Sequence, residues 1–128
     1  MNEVYIISIA RTPIGSLSGV LSPLSATELG AQSIKKAIER ASIKGDMVEE
    51  VIMGNVIEAN TGQAPARQAA IKGGVNINAT CTTVNKVCAS GLKAIILGAQ
   101  SIMLGDKNIV IDGSELLVEL KTGSVCKG

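Results

Sequence analysis

No histidine, phenylalanine or tryptophan occurs among the 128 residues, and Tyr5 is the only aromatic side chain. Without imidazole, neither a histidine general base nor a histidine-ligated metal site can be completed by this chain alone. Without aromatic faces, base-stacking platforms and interfacial lipid belts are excluded. Net charge is also small. Twelve basic residues against 11 acidic ones leave +1, so there is no electrostatic footing for nucleic acid or an anionic membrane as partner. No apolar run approaches the length of a bilayer span. Cysteine is sparse and odd in number. Cys81, Cys88 and Cys126 show no Cys-x-x-Cys spacing, which argues against a disulfide framework or zinc knuckle and fits a reducing compartment. Glu3 leads straight into Val4-Tyr5-Ile6-Ile7 with no basic leader. The expectation is a cytoplasmic chain, or a mitochondrial one whose leader is missing.

What remains is the composition of a globular interior: 46% apolar and 18% charged. Val4–Ile9 is a near-continuous β-favouring run, as expected of a strand covered on both faces. Residues 12–25 read as a loop. Ser25-Ala26-Thr27-Glu28 has the spacing of a capping box, and Ala26, Leu29, Ile34, Ala37, Ile38 and Ala41 then share one helical face that ends near Ser42. Asp46–Glu50 reads as a single turn before a strand at Val51-Ile52-Met53. Pro65 opens a short helix closed by Gly73-Gly74. Thr80–Val84 is extended by propensity. From about Cys88, Leu92, Ile95, Ile96, Ala99, Ile102 and Met103 mark a helix buried over much of its circumference, and Asn108–Ile111 is a further strand. This order of elements predicts a layered α/β sheet. Leu116–Leu120 reads as a strand or a helical turn, and Lys121–Gly128 as a loose end. So few strands beside so apolar a helix leave greasy surface uncovered, as in a part of something larger or one member of an oligomer.

Cys88 is the best local candidate for chemistry. It sits in Val84-Asn85-Lys86-Val87-Cys88-Ala89-Ser90-Gly91, where an extended segment passes into a long apolar helix. Unpaired N–H groups and the positive end of a helix dipole favour a thiolate there, Lys86 adds to this if its ammonium is near, and Ala89, Ser90 and Gly91 are small enough to let a substrate approach. On this local pattern alone a buried structural cysteine is the commoner role. Cys81 reads as a small core residue and Cys126 as a tail thiol. Asn55 and Asn85 read as buried polar groups that orient backbone. Arg67 is either a surface helix residue or a partner for a phosphate or another chain. Asp46, Glu49 and Glu50 read as a solvated cluster at a helix start. No phosphate-binding glycine motif is present.

Four segments occur in an order that carries a resemblance: Ala10-Arg11-Thr12-Pro13-Ile14-Gly15, Met53-Gly54-Asn55-Val56, Gly62-Gln63-Ala64-Pro65-Ala66-Arg67-Gln68, and Cys81 through Gly91. Over about residues 3–111 the chain resembles the opening part of the thiolases, specifically those of the acetyl-CoA C-acetyltransferase type. The resemblance overturns the structural reading of Cys88. It implies a layered α-β-α half-fold with a mixed sheet and a buried central helix, incomplete in this chain. A thiolase-like part would span 1–111 and a divergent tail 112–128, since Asp112-Gly113-Ser114-Glu115 departs from the family's small-residue run. Cys88 would be both acyl-thioester nucleophile and backbone oxyanion donor. Acetyl-CoA and acetoacetyl-CoA would be substrates, with no tightly bound cofactor and no metal. A homo-oligomer or a partner thiolase subunit is implied, with neither nucleic acid nor membrane. The histidines and the second cysteine of the family's site lie in the part of the pattern this chain does not match, and Cys126 does not fit that second-cysteine motif. Two rivals accompany the enzymatic reading: a non-catalytic fragment that associates with or modulates a full-length thiolase, and a related condensing enzyme, which the Cys88 segment and the Gly62–Gln68 segment disfavour.

Overall fold

A computed structural model describes residues 1–114. Helix α1 (Ala26–Ala41) starts where the capping box places it. Ser25 accepts the Glu28 N–H, and the Glu28 carboxylate accepts the Ser25 N–H at 2.7 Å. Its carboxyl is thereby held below the usual range. The helix ends at Ser42, in the left-handed conformation. One 3-10 turn, Gly45–Met47, leads into strand β1 (Glu50–Gly54). Helix α2 (Pro65–Lys72) has proline in its first turn, where the missing N–H costs nothing. Strand β2 (Thr80–Val84), helix α3 (Ser90–Met103) and strand β3 (Val110–Ser114) complete the order.

The sheet runs β2-β1-β3, and both pairings are parallel where a mixed sheet was expected. Register brings Gly54, Val84 and Ser114 level at the carboxyl end. Alternation then sorts the side chains. Val51 and Met53 join Ile34, Ala66, Ala69, Ala70 and Val75 in the core beneath α1 and α2, with Ile109 and Ile111 packed against it. The other face carries α3. The three layers are those of the expected α/β half-fold.

Helix α3 departs from its expected burial. The residues it turns inward are Ser90, Ala94 and Gly98, spaced by four, while Leu92, Ile95, Ile96 and Leu104 are exposed. A stripe of small residues lets the helix axis sit close to β1 and β3, and the large apolar residues are left on the far side. Apolar content signalled burial; the contact itself is made by the small residues between them.

Val4–Ile9 forms no strand. A strand needs a neighbour to bond, and none of the three strands pairs with this segment. It runs instead across α1, where Ser8 Oγ donates to Ala37 O at 2.8 Å and Arg40 Nη1 to Ile9 O at 2.7 Å. Tyr5, Ile6, Ile7 and Ile9 remain largely in solvent.

β3 also runs on to Ser114, past the expected end at Ile111, and so takes in Asp112. Its carboxylate occupies the space that a side chain at Gly98 would need, and burial pushes its pKa from 3.8 up to about 6. The folded state therefore binds this proton more tightly than the unfolded chain. The linked stability is complete below the unfolded value and is lost as the pH rises through about 6. About two pKa units correspond to about 3 kcal/mol, reduced to about 1–2 kcal/mol because the side chain is only partly buried. Asp112→Asn is expected to gain that amount over the unaltered chain at about pH 7.5 and little at about pH 4, read by urea unfolding. An equal difference at both pH values contradicts the assignment.

Candidate active site

The carboxyl ends of parallel strands are where α/β sheets place their chemistry, and the segment after β2 is built for it. Residues 85–89 make a tight loop between β2 and α3. Asn85 anchors it: its Nδ2 donates to Val56 O at 3.1 Å and its Oδ1 accepts the Val87 N–H at 3.0 Å. Val87 has φ +50, a left-handed conformation that a β-branched residue adopts only under constraint, at about 1–3 kcal/mol. Ala89 N–H bonds Lys86 O and Ser90 N–H bonds Val87 O. Ser90 is fully buried; its Oγ accepts the Lys86 N–H at 2.8 Å and donates to Val87 O at 2.6 Å.

Cys88 lies at the crest of this loop, exposed, next to the capping residue Ala89 of α3. Its own N–H has no acceptor among the described residues, unlike those of Lys86, Val87, Ala89 and Ser90. The site thus offers, on one solvent-facing residue, a sulfur nucleophile and a backbone donor free to take up negative charge on a carbonyl oxygen.

The remaining candidates fall elsewhere. Cys81 faces the core from β2, half-buried, and burial pushes its thiol up despite the nearby Arg67. Cys126 lies outside the described residues. Arg67 ties α2 to the loop that follows it, donating to Ala79 O at 2.9 Å and Ile77 O at 2.6 Å, which leaves neither the phosphate role nor a bare surface arginine. Asn85 orients backbone as expected but is exposed. Asn55 is fully buried, yet neither atom of its amide has a partner among the described residues; only its N–H, donated to Val84 O, orients backbone. Glu49 is held below the usual range by the Asn108 N–H and side chain, while Asp46 stays exposed in the 3-10 turn. No cluster of three metal-ligating side chains exists among the described residues, and no described helix is long and apolar enough to cross a membrane. Sequence reasoning missed Ser90 as a structural pin and Val87 as a strained residue. The position of Ser90 just inside the helix start was the available signal, since serine there competes for backbone partners.

Layers and loop together define an α/β chain that presents an exposed thiol at a strand-to-helix junction above a parallel sheet. The chain belongs to the thiolase family: the family model described as "Thiolase, N-terminal domain" matches residues 4–124. It is 57% identical over 84 residues to the mitochondrial acetyl-CoA acetyltransferase of Xenopus tropicalis, covering 66% of this chain and 20% of that protein. With the acetyl-CoA acetyltransferase of Schizosaccharomyces pombe it shares 58% over 82 residues, covering 64% and 21%. The structure resembles a crystal structure of the Acat5 thiolase from Ascaris suum in complex with coenzyme A, with a TM-score of 0.83 and 45% identity over 84% of this chain and 28% of that one. The chain thus spans about a fifth of the length of the curated relatives it matches.

Proposed function

We propose that this chain carries the nucleophile of thiolase-type acyl transfer, with acetyl-CoA as donor. One observation carries the reading: the Cys88 thiol and the Cys88 N–H, which has no acceptor among the described residues, share the open crest of the loop between β2 and α3. The thiolate attacks the thioester carbonyl, the oxygen gathers negative charge against the N–H, and the coenzyme thiolate leaves as an acetyl-Cys88 thioester forms. Because one thioester replaces another, this half-reaction is close to balanced. The second half, attack on the acyl-Cys88 by the α-carbon of another acetyl-CoA to give acetoacetyl-CoA, needs a proton taken from carbon. The chain has no histidine to take it, so the 128 residues alone are expected to stop after the first half. The reverse, thiolysis, stops at the matching step: cleavage of acetoacetyl-CoA by the Cys88 thiolate releases the acetyl-CoA carbanion, whose carbon must be given that same proton back. A reducing compartment suits an exposed thiol; the Xenopus tropicalis relative is named as mitochondrial, which makes mitochondria as well as cytosol part of this reading.

A second reading, a non-catalytic chain that associates with another thiolase subunit, draws support from the exposed Leu92, Ile95 and Ile96 of α3 and Leu104 just after it. One experiment separates the two. The purified chain is incubated with acetyl-CoA and the acetyl group located by peptide mapping. Acetyl on Cys88, released by hydroxylamine, is the expected result; acetylation confined to other residues overturns the enzymatic reading.

A further inference from the structure

We propose that Ser90 is a positioning residue for Cys88. It grips the peptide between Val87 and Cys88 so that the Cys88 N–H faces outward beside the thiol. This rests on the reading of Cys88 as acyl acceptor and adds the device that aims it. A trans peptide is planar, with its C=O and N–H on opposite sides. The oxygen of this peptide is Val87 O, and Ser90 holds it twice, through Oγ at 2.6 Å and through its N–H at 3.1 Å. Ser90 is fully buried whereas residues 85–89 are exposed. The carbonyl is therefore drawn inward and the N–H on the other side of the plane, that of Cys88, is turned outward, where it has no acceptor among the described residues. The same Oγ accepts the Lys86 N–H at 2.8 Å, so one hydroxyl closes the loop on both sides of Val87. That closure offsets the left-handed φ of +50 at Val87. Without the hydroxyl, Val87 relaxes to a negative φ, the peptide plane turns, and the donor leaves the site while the thiol stays exposed.

The test compares two reactions of Cys88, each mapped to that residue. With a small aryl thioester, the sulfur bonds the carbonyl carbon, an oxyanion develops, and thiophenolate leaves; an N–H donor speeds this step. With iodoacetamide the sulfur displaces iodide and no oxyanion forms. The ratio of the two rates cancels exposure and thiolate content. In the full chain the ratio is expected to be about tenfold above that of a peptide spanning residues 84–92, a modest part of what an oxyanion donor supplies in a closed site. Ser90→Ala is expected to fall back to the peptide's ratio, and Ser90→Thr, which keeps the hydroxyl, to retain most of the gain. If the unaltered chain only equals the peptide, the acyl-acceptor reading fails and the proposal with it. If the chain exceeds the peptide and folded Ser90→Ala keeps the excess, the role of Ser90 is overturned and the reading of Cys88 stands. Amide exchange in the unaltered chain decides the matter where the variants do not fold. After correction for intrinsic rates, the Lys86 amide should exchange at least about tenfold more slowly than the Cys88 amide. Equal rates overturn the proposal.

Discussion

Cys88→Ala is expected to lower transfer of acetyl from acetyl-CoA to the chain by at least about a hundredfold, with the fold intact. The size of the loss follows from the alternatives. Among the described residues the other thiol is Cys81, which is half-buried and whose ionisation is opposed by burial, so it presents little thiolate and little access. Cys81→Ala should accordingly change acetylation less than about twofold, although it removes part of the packing around Val51 and Met53. Cys88 contributes no such packing. It is exposed, the substitution leaves its backbone N–H in place, and alanine suits a loop that already holds Ala89, so stability should shift by no more than about 0.5 kcal/mol. Site-mapped acetylation alongside a thermal melt checks both halves, and mapping keeps acetylation at Cys126 from being counted. Undiminished acetyl transfer to the Cys88→Ala chain would remove the chemical basis of the family reading for this molecule.

The local signals that proved legible were those decided within a few residues. Ser25 and Glu28 meet across one turn, Pro65 needs no N–H where it stands, and Ser42 closes α1, so each can be read from the chain without knowing its neighbours. The family was legible for a different reason: the segment around Cys88 is long enough to carry a resemblance, and the junction of strand and helix on which that residue lies was visible in the change of period. What escaped depends on partners distant in sequence. Val4–Ile9 has every mark of a strand but pairs with none of the described ones. The inward stripe of α3 is set by how closely β1 and β3 approach it, and no count of apolar residues reveals that Gly98 matters more to the contact than Ile95. The last strand was read as ending at Ile111, before Asp112; the structure keeps Asp112 in the strand, facing α3, with its pKa raised. Ser90 was read only as small, since the two bonds that define it require a left-handed Val87 that no propensity suggests.

The same close approach makes Gly54→Ala the substitution with the largest expected effect on stability. A Cβ there would sit 2.7 Å from the Ser90 carbonyl carbon and 2.8 Å from the Gly91 nitrogen. Both are backbone atoms in the first turn of α3 and cannot swing aside as a flexible side chain would. Either β1 bends or the start of α3 lifts off the sheet, and overpacking of this kind costs about 1–3 kcal/mol or more. Gly74→Ala is the informative comparison. It carries a positive φ of +88, yet nothing lies within 4 Å of its added Cβ, so its cost is conformational alone and should be nearer 1 kcal/mol. Urea midpoints at constant m-value measure the two. They should also part in function. Lifting α3 pulls Ser90 away from Val87 O and Lys86 N–H, so acetylation of Cys88 should fall in the folded fraction of Gly54→Ala, whereas Gly74→Ala, which substitutes the turn between α2 and β2, should leave it unchanged. A Gly54→Ala chain that is destabilised but acetylates Cys88 at the unaltered rate when folded would show that the loop holds its shape without the sheet beneath it, and that the approach of α3 to β1 serves the core alone.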